Sequence, residues 1–198
     1  MTDTYKTIQA KTEATYRVKG SKFLSFAIPV QCVDEVKEIL KNFRKQHSDA
    51  NHVCYAYMLG FERSTWRTND DGEPSGTAGK PILGQINSRE LTDILVIVVR
   101  YFGGILLGTS GLISAYKESA NEVLKQVEII EKTKNEMIRI CFAYEKMNEI
   151  MRVLRETNAQ IISQSFDNEC EMKLSVRLTS TEALINKLHK IAIVHPKP

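Results

Sequence analysis

Two glycine-rich segments contain the residues whose types and spacing could do chemistry. The first covers residues 69–81, where three glycines and two prolines separate the polar positions. Its charged and hydroxyl side chains are those of Asp70, Asp71, Glu73, Ser75, Thr77 and Lys80. Carboxylates at this density could hold Mg²⁺, although acidic residues beside glycine are also ordinary turn formers. We predict a long loop with a function, because compact domains rarely keep such a stretch otherwise.

The second segment, residues 100–111, follows a predicted buried strand and opens a predicted helix. Its notable positions are Arg100, Tyr101, Gly103, Gly104 and Gly108. Free N–H groups at a helix start can hold an anion, arginine binds phosphate with a planar fork, and tyrosine can stack a base for about 1–3 kcal/mol. The alternatives stay open. Glycines also permit tight turns and close packing, Tyr101 could lie in the core, and Arg100 could pair with Asp70 or Asp71.

Known nucleotide-binding and hydrolase motifs do not fit these segments. The phosphate loop GxxxxGK[ST] requires glycine where Pro74 stands and a hydroxyl residue where Pro81 stands. The glycine offsets of 1, 4 and 3 in the second segment differ from the dinucleotide fingerprint, and neither GxSxG nor HExxH occurs. The four cysteines form no CxxC pair. We predict no catalytic residue, metal or cofactor; enzymatic activity stays open, with a non-enzymatic role favoured.

The composition is that of a globular protein with little net charge. Of 198 residues, 42% are hydrophobic and 26% charged, which excludes a disordered or fibrous chain. The net charge of +3 is small for a protein that coats nucleic acid, so only a local basic patch could bind it. The longest apolar run, residues 94–99, is far below the ~18 residues of a membrane span. With no signal-type start, we predict a cytoplasmic protein without membrane association.

The glycines divide the sequence into two parts of different character. All ten lie between Gly20 and Gly111, and the last 87 residues have none. This asymmetry predicts two domains, residues 1–128 and 129–198, with a linker over the polar residues 131–135.

The first domain is expected to combine strands with two helices. Its predicted strands are 5–10 paired with 14–18, 23–28, 52–59 paired with 63–69, and 94–99; its predicted helices are 34–43 and 112–127. Asp34 can cap the first helix, whose apolar residues recur at i, i+3, i+4 and i+7. The continuous apolar run of the last strand indicates burial on both faces.

The second domain shows a clear order of elements. Strands are predicted at 137–142, 160–166, 170–178 and 191–195, with helices over 145–157 and from a capping box at Thr179 and Glu182. The order βαββα(β) is that of the ferredoxin-like sandwich. Strict alternation in the third strand points one set of side chains away from the core: Glu171, Lys173, Ser175 and Arg177.

Several motifs in order resemble one protein family. They are KGSKFLSF (19–26), HVCYAY (52–57), DDGEPSGTAGKP (70–81), VRYFGGILLG (99–108) and GLISAY (111–116). Over about residues 1–128 the chain closely resembles the IMPACT/YigZ family, and the second half is similar to its bacterial members in layout. The resemblance implies an α+β protein with a ribosomal-protein-S5-domain-2-like N-terminal domain and a ferredoxin-like C-terminal domain. For eukaryotic members it implies regulation of translation through protein partners, and for bacterial members nucleic-acid or ribosome binding.

The resemblance also implies a surface site, carried over position by position onto this chain. It comprises Ser21, Lys22, His52, Asp70, Asp71, Glu73, Ser75, Lys80, Arg100, Tyr101, Gly103, Gly104 and Gly108. We expect a non-enzymatic, translation-associated regulator that binds RNA or the ribosome, or a protein of the translation machinery, through this glycine-rich, cation-lined site. The alternatives are an enzyme for a small phosphorylated or nucleotide substrate, and a protein-interaction module that uses the open sheet face of the second domain.

Overall fold

The computed structural model describes residues 2–166 and 170–196 and shows an α+β protein. It divides into two compact units. The N-terminal unit is Tyr5–Lys132, and the C-terminal unit contains the residues up to Thr4 and those from Thr133 onward. The sequence-predicted boundary after residue 128 falls four residues before this division. None of the helices in the described part of the chain is long and apolar enough to cross a membrane.

The chain forms eleven strands and five helices within the described residues. The strands are β1 (Thr4–Ile8), β2 (Thr12–Val18), β3 (Ser21–Pro29), β4 (His52–Leu59), β5 (Thr65–Asn69), β6 (Ile94–Tyr101), β7 (Ile129–Thr133), β8 (Asn135–Phe142), β9 (Gln160–Phe166), β10 (Cys170–Arg177) and β11 (Ile193–Pro196). The helices are α1 (Val33–Gln46), α2 (Gly79–Asn87), α3 (Gly108–Gln126), α4 (Met147–Glu156) and α5 (Thr181–Leu188). Short 3₁₀ turns at Tyr144–Lys146 and Leu178–Ser180 precede α4 and α5.

The N-terminal unit is a five-stranded antiparallel sheet with helices on both faces. Its strand order is β2-β3-β6-β4-β5. β6 lies at the centre because its run of Ile, Leu and Val can be covered on both faces. One core contains Phe26, Leu95 and Ile97 of the sheet with Phe43 of α1. The other contains sheet residues such as Val98 together with α2 and α3.

Strand alternation assigns neighbouring residues of β6 to opposite faces. Val98 belongs to the core under α2 and α3, whereas Val99 belongs to the core under α1. Since side chains alternate along a strand, Arg100 faces the α2/α3 side and Tyr101 the α1 side. Two residues that the sequence analysis placed in one site therefore emerge on different faces of the sheet.

The C-terminal unit is a four-stranded antiparallel sheet. Its strand order is β11-β8-β10-β9. The predicted order of strands and helices in this unit is correct, and its core joins the sheet to α4 and α5 through Ile140, Ile150, Leu174 and Leu184. One detail differs: Ser175 is buried although alternation placed it on the open face. Its register partners are Met137 and Gln160, whose longer side chains flank the small serine.

Strand pairing differs from the sequence prediction at the start of the chain. β1 pairs with β7, and β2 pairs with β3, so residues 5–10 and 14–18 do not form the expected pair. The predicted linker over residues 131–135 is largely strand, since it holds the end of β7 and the start of β8. Both errors arise because β1 pairs with a strand that is distant in sequence. The local pattern of apolar residues does not show which distant strands pair.

The first residues of the helices also differ from those predicted from the sequence. α1 begins at Val33 after Cys32, so Asp34 lies in its first turn and does not cap it. α5 begins after Ser180, and the Thr179 hydroxyl donates instead to Asp3. The last residues of the predicted loop, 79–81, form the start of α2, and α3 begins at Gly108, four residues before its expected start.

Asp3 is held by the C-terminal unit through a two-pronged ion pair. Its Oδ1 accepts from Arg177 Nη2 at 2.7 Å, and its Oδ2 accepts from Arg177 Nε at 3.1 Å and Thr179 Oγ1 at 2.7 Å. Hydrogen bonds from Arg177, then from Thr179, hold the pKa of Asp3 well below its ordinary value of 3.8. A carboxylate stabilised in this way favours the folded state above that ordinary value, and the benefit disappears as pH falls through the lowered pKa.

We therefore expect Asp3→Asn to destabilise the C-terminal unit at pH 7. The difference from the unmodified chain should stay constant down to about pH 5 and shrink below the ordinary value of 3.8. Hydrogen exchange of the β8 and β10 amides in the full chain measures this local stability. Glu182→Gln, an exposed carboxylate of α5, is the control. A difference that grew as pH fell would contradict the role given to Asp3.

Candidate functional site

A cleft of about 460 Å³ opens at one end of the five-stranded sheet. We call it the Arg100 cleft. Its polar wall includes His52 of β4, Glu73 and Arg100 of β6, while Phe102 and Leu106 supply apolar surface. Gly108, at the start of α3, also lines it. Of the thirteen residues predicted as a site, the cleft thus brings together His52, Glu73, Arg100 and Gly108.

A buried ion pair forms the floor of this site. Arg100 Nη1 donates to Glu73 Oε1 at 2.6 Å, with the two side chains only 6% and 3% exposed. Arg100 is the register partner of Phe23 and His52 in the sheet. Its guanidinium carbon is 5.6 Å from the ring centroids of both Phe23 and Phe102. The sequence analysis left open a pairing of Arg100 with Asp70 or Asp71; the partner is Glu73.

A tyrosine and a cysteine extend the ion pair into the core. Tyr116 of α3 donates to the same Glu73 Oε1 at 2.8 Å. Cys54 Sγ lies 3.3 Å from the Tyr116 hydroxyl oxygen and 3.0 Å from the Asp70 carbonyl oxygen. Burial raises the pKa of Tyr116 strongly and that of Cys54 to about 12. Both groups therefore stay protonated at neutral pH, so Cys54 is a buried hydrogen-bonding thiol and not a nucleophile.

His52 stands at the edge of the ion pair. Its Nδ1 is 2.8 Å from the Asp71 carbonyl oxygen, which can only accept, so Nδ1 carries a proton. Its Nε2 is 3.8 Å from Glu73 Oε1. Nε2 is therefore the ring nitrogen that can form a hydrogen bond with a ligand in the cleft.

Asp70 stabilises the start of α2. Its Oδ1 accepts from the N–H groups of Ala78 and Gly79 at 3.0 and 2.8 Å, and its Oδ2 from Gly76 at 2.8 Å. Burial raises the pKa of Asp70, but the three N–H groups and the charge of Lys80 outweigh burial, so the pKa is lowered. The carboxylate acts as a cap from outside the helix, which explains how a segment with Pro81 in its first turn becomes helical.

Asp71 ties the same loop to β4 and α1. Its Oδ2 accepts from Val53 N at 2.6 Å, and its Oδ1 from Arg44 Nη2 at 2.6 Å. The residue adopts φ of +44°, a left-handed conformation that Asp tolerates better than most residues, and its N–H donates to Asn69 Oδ1. Asp70 and Asp71 therefore direct their oxygens at protein donors, which leaves the Mg²⁺ reading of this loop without support from their geometry.

Gly103 lies against the β2–β3 hairpin. A Cβ at Gly103 would sit 1.9 Å from the Gly20 carbonyl carbon, so only glycine fits there. Gly103 N also donates to the buried Ser21 Oγ at 3.2 Å. The hairpin turn consists of Lys19 and Gly20, with φ of +45° and +78°, which is the type I′ geometry. Ser21 and Gly103 thus hold the hairpin tip beside the loop that leads to α3.

The remaining predicted residues lie outside the Arg100 cleft. Lys22 is the register partner of Tyr101, so both face the α1 side, where Tyr101 Oη is 2.8 Å from His47 Nδ1. Ser75, Lys80 and Gly104 are exposed.

Sequence reasoning missed Arg17, the register partner of Lys22. The signal was available, because a two-residue turn at Lys19 and Gly20 pairs residues 17 and 22. It also missed Tyr116, which the helical pattern classed only as core, and Phe102. No local signal could have shown that Tyr116 meets Glu73.

The comparisons with known proteins identify the family. The model of the Impact N-terminal domain matches residues 19–124. The IMPACT family member YvyE of Bacillus subtilis is 33% identical over 183 residues, which cover 92% of this chain and 84% of that protein. The chain therefore belongs to the IMPACT family, as the motifs predicted.

Other relatives agree in different parts of the chain. YigZ of Escherichia coli is 34% identical over 151 residues, covering 75% of this chain and 74% of that protein. Protein IMPACT of Rattus norvegicus is 32% identical over 93 residues, which cover 46% of this chain but 29% of that protein. A crystal structure titled as that of a hypothetical protein matches the whole chain and 99% of its own, at 27% identity and a TM-score of 0.76.

The close approach at Gly103 predicts opposite effects for two glycine substitutions. Gly103→Ala should destabilise the N-terminal unit, because its Cβ would overlap the Gly20 backbone. Gly84→Ala should stabilise it by about 0.5–1 kcal/mol, since alanine suits a helix interior better than glycine and, beyond the adjoining backbone of its own helix, no described atom lies within 4 Å of its Cβ position. Denaturant unfolding followed by the fluorescence of Trp66, the chain's one tryptophan, measures both. Equal effects would contradict the assigned contact.

The buried ion pair predicts a large loss on removal of one partner. Glu73→Ala should lower the free energy of unfolding by about 3–5 kcal/mol, because it leaves the Arg100 charge buried and unpaired. The combined variant Glu73→Ala with Arg100→Met should be more stable than Glu73→Ala alone, since it removes that charge. The same fluorescence measurement applies, with exposed Glu38→Ala as control. A loss below about 1 kcal/mol for Glu73→Ala, the range of exposed pairs, would refute the role of the pair.

Proposed function

We propose that this protein is a non-enzymatic regulator associated with translation that binds RNA or the ribosome through its N-terminal unit. Membership of the IMPACT family, which includes the eukaryotic Protein IMPACT, supports the link to translation. We also assign the N-terminal unit to the S5-domain-2-like class and the C-terminal unit to the ferredoxin-like class. The antiparallel order β11-β8-β10-β9, with one helix in each crossover, supports the second assignment.

A row of cations and one aromatic residue carries the RNA proposal. The register aligns Arg17 of β2 with Lys22 of β3, and Lys22 with Tyr101 of β6. Adjacent residues of paired strands share a face, so these three side chains form one row on the α1 side of the sheet. We call it the cation row and include Lys19, whose exposed side chain extends from the hairpin turn beside it.

The cations of the row are free to meet phosphate. Among residues 2–166 and 170–196, no acidic side chain forms an ion pair with Arg17, Lys19 or Lys22. This distinguishes them from Lys37, Lys125 and Lys146, which pair with acids on their own helical segments. Unpaired cations release counterions from a nucleic acid when they bind it, which is the main source of affinity for such ligands.

Tyr101 adds a surface on which a base can stack. The ring is half-buried, and its hydroxyl oxygen is held 2.8 Å from His47 Nδ1, at the C-terminal end of α1. A ring fixed in this way loses little conformational entropy when a base packs on it. Cations beside an aromatic platform are the usual arrangement for binding single-stranded nucleic acid.

Arg100 is a poor phosphate ligand by comparison. Its charge is buried at 5% exposure and already balanced by Glu73. A phosphate at this position would have to compete with that carboxylate. The proposal therefore rests on the cation row and not on the arginine that the sequence pattern singled out first.

Salt dependence of RNA binding tests the proposal. For the full chain and a single-stranded RNA, each phosphate contact contributes about 0.7 to the slope of log affinity against log salt. Lys22→Ala and Arg17→Ala should each weaken binding and flatten the slope by about that amount. Lys125→Ala, whose cation is paired with Glu122, should leave both unchanged. Absence of binding to RNA and to ribosomes at low salt would exclude the proposal.

A further inference from the structure

The Arg100 cleft contains polar groups that the rest of the protein does not satisfy. Arg100 Nη1 donates a hydrogen bond to Glu73 Oε1. Its Nε is buried without a hydrogen-bond partner in the described part of the chain. An unpartnered buried donor is costly and rare in folded proteins. An arginine at 5% exposure with an unpartnered Nε–H, in the wall of an open cleft, is the first of the observations that point to a ligand.

A helix start lies at the same cleft. α3 is 19 residues long, and within the described residues no side chain caps its first turn. Gly108 and Thr109, its first two residues, both line the cleft. Their neighbourhood carries the partial positive charge of the helix N-terminus, which favours a phosphate group.

The apolar wall is exposed and includes an aromatic ring. Phe102 is 43% exposed and Leu106 83% exposed, and both line the cleft with Leu107 and Leu112. The ring of Phe102 lies 5.6 Å from the Arg100 guanidinium carbon. This arrangement suits a flat ligand that packs against an aromatic ring and a guanidinium plane.

The presence of an acid decides between ligand classes. Glu73 offers an acceptor beside the donors of Arg100, and His52 Nε2 lies 3.8 Å from it. A simple organic acid carries only acceptors, so it would be repelled by Glu73. A nucleobase carries donors and acceptors on one edge and can satisfy both members of the ion pair.

We propose that the Arg100 cleft binds a single nucleotide, with its base packed on the exposed surface of Phe102, its polar edge toward the Arg100–Glu73 pair and its phosphate near the start of α3. The volume of about 460 Å³ is large enough for one nucleotide and too small for a helix of RNA. The nucleotide is either a free nucleoside monophosphate or one unstacked residue of an RNA; in the second form the inference rests on the proposed function.

Calorimetric titration of the full chain with the four nucleoside monophosphates tests the first source. Phe102→Ala should weaken binding by about tenfold, the range expected for a lost base–aromatic contact. Because Phe102 is exposed, this variant should fold normally, and unfolding followed through Trp66 verifies that. Leu106→Ala is a second cleft variant. Exposed Phe166→Ala, an aromatic residue of the C-terminal unit, is the matched control and should have no effect.

The second source is tested with single-stranded RNA and a fully paired duplex. Weaker binding of the single strand by Phe102→Ala, with the duplex unaffected, supports capture of an RNA residue even where free monophosphates do not bind. Inorganic phosphate that binds as tightly as the monophosphates would overturn the assigned base contact. Identical affinities of Phe102→Ala and the unmodified chain for all these probes would overturn the inference, while loss of RNA binding in Lys22→Ala would still support the proposed function.

Discussion

The contact between Glu73 and Arg100 is the constraint on which the end of the N-terminal sheet depends. A buried charge needs a partner, and β6 delivers Arg100 to a position where Glu73 can reach it. Tyr116 binds the same carboxylate oxygen, so α3 is aligned with the loop that carries Glu73. The three glycines give this loop high conformational entropy when unfolded, and this shared oxygen is one reason that it adopts a single conformation.

The loop's three acids point in three directions and each stabilises a different element. Asp70 caps α2, Asp71 ties β4 to α1, and Glu73 meets β6 and α3. The segment that most resembled a metal or phosphate site is therefore a structural junction. The groups that our proposals assign to ligands lie mostly outside this segment: Arg17 and Lys22 have no acid partner among the described residues, and Phe102 is exposed.

Periodicity in the sequence predicted most of the regular structure and little of its assembly. The periodicity of apolar residues predicted the buried strand β6, the β4–β5 pair and the order of elements in the C-terminal unit. Periodicity did not predict the pairing of β1 with β7, because the two strands are distant in sequence. It did not predict α2 either, because that helix depends on a cap from a residue outside it. Within the site, the separation of Arg100 from Tyr101 was implied by strand alternation. The pairing of Arg100 with Glu73, and not with Asp70 or Asp71, could not be predicted. The three acids are so close together in the sequence that their spacing from Arg100 does not distinguish them.

Under our two proposals, the distribution of charge gives the two faces of the sheet end different ligand preferences. With 27 basic and 24 acidic residues, the protein can attract a polyanion only where cations lack partners. Arg17 and Lys22, on the α1 side, have no acid partner among the described residues. On the other side the ion pair of Arg100 is neutral overall, so a bare anion gains little from it. A base gains more, because its donors and acceptors can hydrogen-bond with both members of the pair. Tyr101 and Phe102 are adjacent in the chain and stand on the two sides, so one strand of RNA that crosses the end of β6 could place phosphates on the cation row and one base in the cleft.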